Sequence, residues 1–150
     1  MPKAASPSAP LTPDQAVLIS ESFALALPVK AQLSMRVYER FFELEPATRH
    51  LFSDDLAAQR AKIMRALSFT VRAMTTDAEL ARVAEGLARS HARFHITEAQ
   101  LRNMARAVIA AFEDCLGGRF TPAMKASWQA AFDRFLPMVL AAQDRLGAEV

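Results

Sequence analysis

The sequence predicts an all-α fold of about six to eight helices, and three observations carry that reading. Apolar residues recur at i, i+3, i+4 and i+7 in one segment after another, the spacing of a buried helix face. Helix-opening Thr and Pro precede these segments, and Pro or Gly follows them. No stretch alternates apolar and polar residues between hairpin turns, and only four glycines occur in the 150 residues.

Residues 1–11 are rich in Pro, Ser and Ala and read as a flexible tail, leaving residues 12–150 as a single domain. "TPDQ" opens the first helix, with Thr12 as cap, Pro13 at the first helical position and Gln15 closing a capping box; Pro28 is expected to stop it. "VKAQLSMRVYERFFELE" is the second helix, with Leu33, Val37, Phe41 and Leu44 on one stripe, and Pro46 breaks it into the short turn "PATRHLF". A third helix is expected from about Asp54 to Met74, carrying Leu56, Gln59, Ile63, Leu67 and Thr70 on one face. "TTDAELARVAEGLARSHARF" is a fourth, capped by Thr76 or Asp77. Thr97 and Gln100 form a capping box for a fifth, striped with Leu101, Met104, Ala105, Val108, Ile109 and Phe112, and "LGGRFTP" ends it. The last helix opens at Thr121 and Pro122 and turns Met124, Trp128, Phe132, Phe135, Leu136 and Val139 inward; Pro137 within it is expected to produce a kink.

Composition narrows the function classes. Hydrophobic residues make up 52% of the chain, and 18 Lys and Arg face 16 Asp and Glu. The basic residues are scattered among acids, which does not favour a nucleic-acid partner. The single cysteine, Cys115, excludes an internal disulfide framework and a cysteine-cluster metal site. No apolar run approaches a membrane span, and the N-terminus has no apolar core of signal-peptide length. These features predict a soluble cytoplasmic protein, with neither nucleic acid nor membrane among its partners.

No Ser-His-Asp or Cys-His arrangement can be assembled, and no phosphate-binding glycine loop is present. Asp54 and Asp55 stand at a helix start, where carboxylates favour the helix dipole. Of the three histidines, His50 sits beside Arg49 in a polar turn and reads as a surface residue. His91 falls on the stripe of Val83, Leu87 and Phe94, so its ring is expected to face inward. An inward helical histidine is either a satisfied core residue or a single ligand. Haem suits the second case, because it supplies four nitrogens and needs only one axial imidazole.

Several separated segments share a resemblance. "ERFFELEPATRHLFSDDLAAQRAKIMRAL" resembles the distal pocket region of the globin family, "LGGRFTPAMKASW" the start of the last globin helix, and "LARSHARFHI" the proximal segment of the myoglobins. The span from about Thr12 to Gln143 most resembles the bacterial single-domain globins and the haem domain of flavohaemoglobins, with the neuroglobins close behind. The resemblance implies a globin fold around a haem pocket. It implies His91 as proximal iron ligand, Phe52 as the phenylalanine packed on the haem face, and Pro46 as the start of the short helix before it. It also implies Tyr38 and Gln59 as the distal polar pair and Ile63 as the apolar residue pressing on the ligand. Ser90 and the Leu87 carbonyl would then accept from the outer nitrogen of His91 and fix its tautomer. His95 and Lys62 become propionate partners, with Arg93 a weaker third, and Leu101 and Met104 count among the cofactor contacts. Flavohaemoglobins back the proximal histidine with a tyrosine and a glutamate; those positions fall here on Leu101 and Gln143, which weakens electron push onto O2.

The function implied is a haem b globin, without a CxxCH attachment motif, that reversibly binds a small gas: O2, and also NO or CO. The alternatives are an NO dioxygenase or peroxidase-like enzyme served by a separate reductase, and a haem-based gas sensor. The expected oligomeric state is a monomer or weak homodimer.

Overall fold

The computed structural model describes residues 9–148. Six α-helices follow one another: α1 (Pro13–Ala26), α2 (Lys30–Leu44), α3 (Ala57–Arg72), α4 (Asp77–Ser90), α5 (Glu98–Leu116) and α6 (Pro122–Ala148). Short 3-10 turns lie between them, and no strand occurs among the described residues. The starts follow local chemistry. Thr12 and Gln15 close a capping box at α1, and Thr97 and Gln100 another at α5. Thr76 accepts from the Glu79 N–H at α4, and the Thr121 hydroxyl accepts from Met124 at α6. Each cap satisfies a backbone donor that the first turn leaves without a partner.

The core forms where α5 and α6 cross the earlier helices. Trp128 is 1% exposed, and its ring lies 4.8 Å from that of Phe112, which stacks on Phe120 at 5.3 Å. The indole N–H donates to the Ser22 hydroxyl at 2.7 Å, and Ser22 donates to the Ile19 carbonyl. The polar edge of the tryptophan is thus satisfied inside an apolar core. α2 lies along α5, and α4 along α6.

An ion cluster locks the first of these pairs. Arg40 of α2 grips both carboxylate oxygens of Asp114 on α5 at 2.8 Å, and Arg36 reaches the same carboxylate at 2.7 Å. The two guanidinium groups hold the Asp114 carboxyl below the usual carboxylate range, against a smaller opposing effect of burial. A depressed pKa means that this stabilisation is present above the unfolded-state value, about pH 4, and is lost as pH falls through the folded value. Asp114→Asn should therefore lower the urea midpoint at pH 7, and the difference from wild type should shrink steadily as pH falls below about 4. A loss that stays equal as pH falls would mean that the carboxylate charge does not matter.

Several boundaries differ from the sequence expectation. α1 ends at Ala26, and Pro28 sits inside the 3-10 turn Leu27–Val29 that leads directly into α2. The helical run Pro13–Leu44 is, by length and composition, apolar enough for a membrane span, contrary to expectation. Its residues Ile19, Phe23, Leu33, Val37 and Phe41 are instead taken up by the core. Leu44, expected on the inward stripe, is 45% exposed, because the buried stripe of α2 ends at Phe41. α3 begins at Ala57, after the Asp55 carboxylate accepts from the Ala57 N–H at 2.9 Å. Pro137 lies inside α6, where the sequence puts it, and faces solvent.

α4 shows the correction that most affects the site. It stops at Ser90 instead of running on to Phe94. A 3-10 turn, Ala92–Phe94, follows and ends at His95 in the left-handed region, φ 52°. His91 is therefore the residue at which the α-helix ends, rather than one more residue on its stripe.

Candidate functional site

A cavity of about 240 Å³ lies among α2, α3, α4, α5 and α6. Its wall is mostly apolar, formed by residues such as Phe41, Leu67, Val108 and Phe135. Polar groups reach it at a few points: Tyr38 from α2, Gln59 and Thr70 from α3, His91 from the end of α4, and Gln143 from α6. It meets the surface beside Leu51, Lys62 and Phe94, which are exposed lining residues.

His91 is the half-buried imidazole of this wall. Its Nδ1 lies 2.9 Å from the Leu87 carbonyl and 3.0 Å from the Ser90 hydroxyl, which itself donates to the same carbonyl. A carbonyl oxygen cannot donate, so Nδ1 carries the proton. With the Nδ1–H held in this way, Nε2 is the ring nitrogen left to ligate a metal, the arrangement a metal-ligating histidine requires. The end of the helix serves this geometry. The Leu87 carbonyl accepts both the His91 backbone N–H, at 3.2 Å, and the ring Nδ1–H, so one turn of α4 fixes backbone and ring together.

Tyr38 is 4% exposed. Its hydroxyl donates to the Gln59 backbone carbonyl at 3.4 Å, a long and weak bond. Burial pushes the Tyr38 phenol up to about 12, with Gln59 partly opposing the shift. The phenol therefore stays protonated and able to donate across the physiological range. Its ring lies 5.7 Å from Phe52 and 6.0 Å from Phe42, and those two meet edge to face at 5.3 Å. This aromatic group joins α2 to the turn after Pro46.

Of the residues singled out by sequence, Tyr38, Phe52, Gln59, Lys62, Ile63, His91, Leu101 and Met104 all line the cavity. Ser90 does not line it but touches His91. His95 is exposed and outside the lining, and His50 is exposed on the turn. Arg93 lies over the Phe94 ring at 4.8 Å, a surface cation–π contact. Sequence reasoning gave no site role to Thr48, Phe132, Phe135 or Gln100. Thr48 carries no helical periodicity, and Gln100 showed only as a cap, although it also reaches the cavity.

The family model for Globin matches residues 35–139, more than half of the chain. The chain belongs to the globin family. The structure of a bacterial globin from Campylobacter jejuni is similar to this globin, with a TM-score of 0.79 over 91% of this chain and 99% of that one. At 14% identity that likeness speaks for the fold alone. Comparison with curated protein sequences finds no match. Globins bind haem, and the cavity of this globin has the chemistry to hold it. The wall is mostly apolar, one lining imidazole has its Nδ1 engaged by α4 so that Nε2 is the nitrogen left for iron, and no group of three His, Cys, Asp or Glu among the described residues offers a competing metal site.

Proposed function

We propose that this globin holds haem b through His91 Nε2 and reversibly binds O2, and also NO or CO, beside Tyr38 and Gln59. The observation that carries the reading is the fixed tautomer of His91, whose Nδ1 is held by Leu87 and Ser90 at the wall of an apolar cavity. Haem supplies a planar macrocycle and an open iron position for a diatomic gas. The chain supplies the rest. His91 anchors the group from the end of α4, and Phe52 and Phe94, which line the same cavity, pack on it. Tyr38 offers a proton donor in an apolar setting, with Gln59 as a second, and Ile63 limits the space. Lys62 at the rim and His95 on the turn after His91 are the propionate partners, and Leu101 and Met104 complete the apolar contacts from α5. With no CxxCH in the sequence, the haem is held without covalent attachment.

The NO dioxygenase and peroxidase-like readings draw less support. Leu101 and Gln143, which the sequence resemblance matches to the ionisable pair of flavohaemoglobins, both line the cavity, and neither can give the imidazole anionic character. Turnover of either kind would need electrons from a separate reductase. Titrating the reduced protein with O2, then removing the gas, tests the proposal. The account expects a spectral change that returns fully on deoxygenation over repeated cycles. Irreversible oxidation in the first cycle would count against a binding role and favour the reductase-served enzyme.

A further inference from the structure

Arg49 lies in the 3-10 turn Pro46–Leu51 and does not line the cavity, yet its guanidinium gathers the chain that does. One nitrogen, Nη1, donates to the Phe52 carbonyl at 3.3 Å and the Ser53 carbonyl at 3.0 Å, and Nη2 approaches the Asp54 carbonyl at 3.5 Å. These carbonyls lie just past the end of the turn, where the backbone offers them no partner of its own. The Arg49 carbonyl meanwhile accepts the Phe52 N–H at 3.1 Å, so the backbone of Phe52 is held from both sides. The guanidinium also lies 5.1 Å above the centre of the Phe42 ring. Phe42 in turn meets Phe52 and Tyr38. A single planar cation thus ties the loop before α3 to the aromatic group on α2. Lysine, a point charge without a fork, can do neither job as well.

We propose that Arg49 is a positioning residue. It holds Phe52 for its contact with the haem face and, through Phe42, holds Tyr38 in the orientation with which the phenol meets the bound gas. The proposal rests on the reading of Tyr38 as ligand-side donor and Phe52 as haem contact given above, and its test separates the two. Haem-loaded full-length protein is compared with Arg49→Lys and Arg49→Leu, each with and without Tyr38→Phe. The first readout is amide hydrogen exchange. Exchange at the Phe52 amide, whose N–H donates to the Arg49 carbonyl, should speed up by about tenfold in both variants while α5 and α6 keep their protection, since local opening is set by local bonds. The second readout is gas release. O2 should leave about three- to tenfold faster in both Arg49 variants, with CO release nearly unchanged, and the Arg49 effect should vanish in the Tyr38→Phe background.

Arg49→Lys behaving as wild type in both readouts would overturn the proposal, because the fork would then be dispensable. Faster exchange with unchanged O2 release would overturn it too, provided that Tyr38→Phe alone speeds release; Arg49 would then only stiffen the loop. An Arg49 effect that persists in full without the Tyr38 hydroxyl would overturn the route through Tyr38. If Tyr38→Phe alone leaves O2 release unchanged, the ligand-side reading of Tyr38 fails, and the Tyr38 half of the proposal fails with it. The exchange data then still decide whether Arg49 holds Phe52.

Discussion

Replacing His91 with alanine is expected to lower haem affinity by at least about a hundredfold, beyond the roughly 10- to 100-fold typical of losing a partner that merely orients a metal ligand. The reason is local. His91 is the one imidazole among the cavity-lining residues, and its ring is fixed by two bonds to α4. His95→Ala is the control. His95 is exposed, in a left-handed turn, and outside the lining. Its removal should loosen haem slightly without changing the axial bond. Haem content after gel filtration and the ferrous spectrum of each variant decide the matter. If the His95 variant loses the axial bond and the His91 variant keeps it, the two histidines have been assigned in reverse.

Tyr38→Phe should speed O2 release by about tenfold to hundredfold, the equivalent of a hydrogen bond of ~1 to 3 kcal/mol inside an apolar pocket. The phenol is buried, remains protonated with its pKa near 12, and makes only one long bond, to the Gln59 carbonyl. That weak bond is readily given up for a better acceptor, and O2 at the iron carries partial negative charge. CO is much less polar, so its release should barely change. Gln59→Leu should act in the same direction and combine less than additively with Tyr38→Phe if the two side chains share one network. Stopped-flow displacement of each gas measures these rates. Equal effects on O2 and CO would show that Tyr38 acts by packing alone.

How much of this could be read from the sequence depends on the distance over which each feature is encoded. Caps are local, so Thr12, Thr76, Thr97 and Thr121 marked helix starts that the structure shares. Helical stripes are nearly as local, and the inward faces of α5 and α6 follow the expected residues. The end of α4 was harder. The pattern through Phe94 keeps helical spacing, yet the backbone leaves the α-helical region at His91, ahead of the 3-10 turn that the left-handed His95 closes, and histidine is a residue type not read as a stop signal. Leu44 had the right spacing but nothing to pack on, and spacing alone does not report where a neighbouring helix ends. The Arg40–Asp114 pair joins residues 74 positions apart, and in the sequence it looks like any other pair of surface charges. Arg49 had no signal at all. Its partners are backbone carbonyls and a phenylalanine, and neither leaves a trace in residue spacing. The cavity became legible only because Tyr38, Phe52, Gln59 and His91 together resembled a known family. Taken singly, each could equally have been a core or surface residue.

The most direct measurement is the visible spectrum of the purified protein in its ferric and ferrous forms and with CO added. The account predicts a red protein whose haem is extracted completely by acid acetone. Its ferrous form should be mainly five-coordinate with one axial imidazole, because the proposed distal residue is Gln59 and His91 is the one histidine among the cavity-lining residues. CO should then shift that spectrum to a six-coordinate form. A protein without haem would contradict the account, and so would a ferrous spectrum showing two axial histidines, since the latter would require His50 to leave its exposed turn and reach the iron.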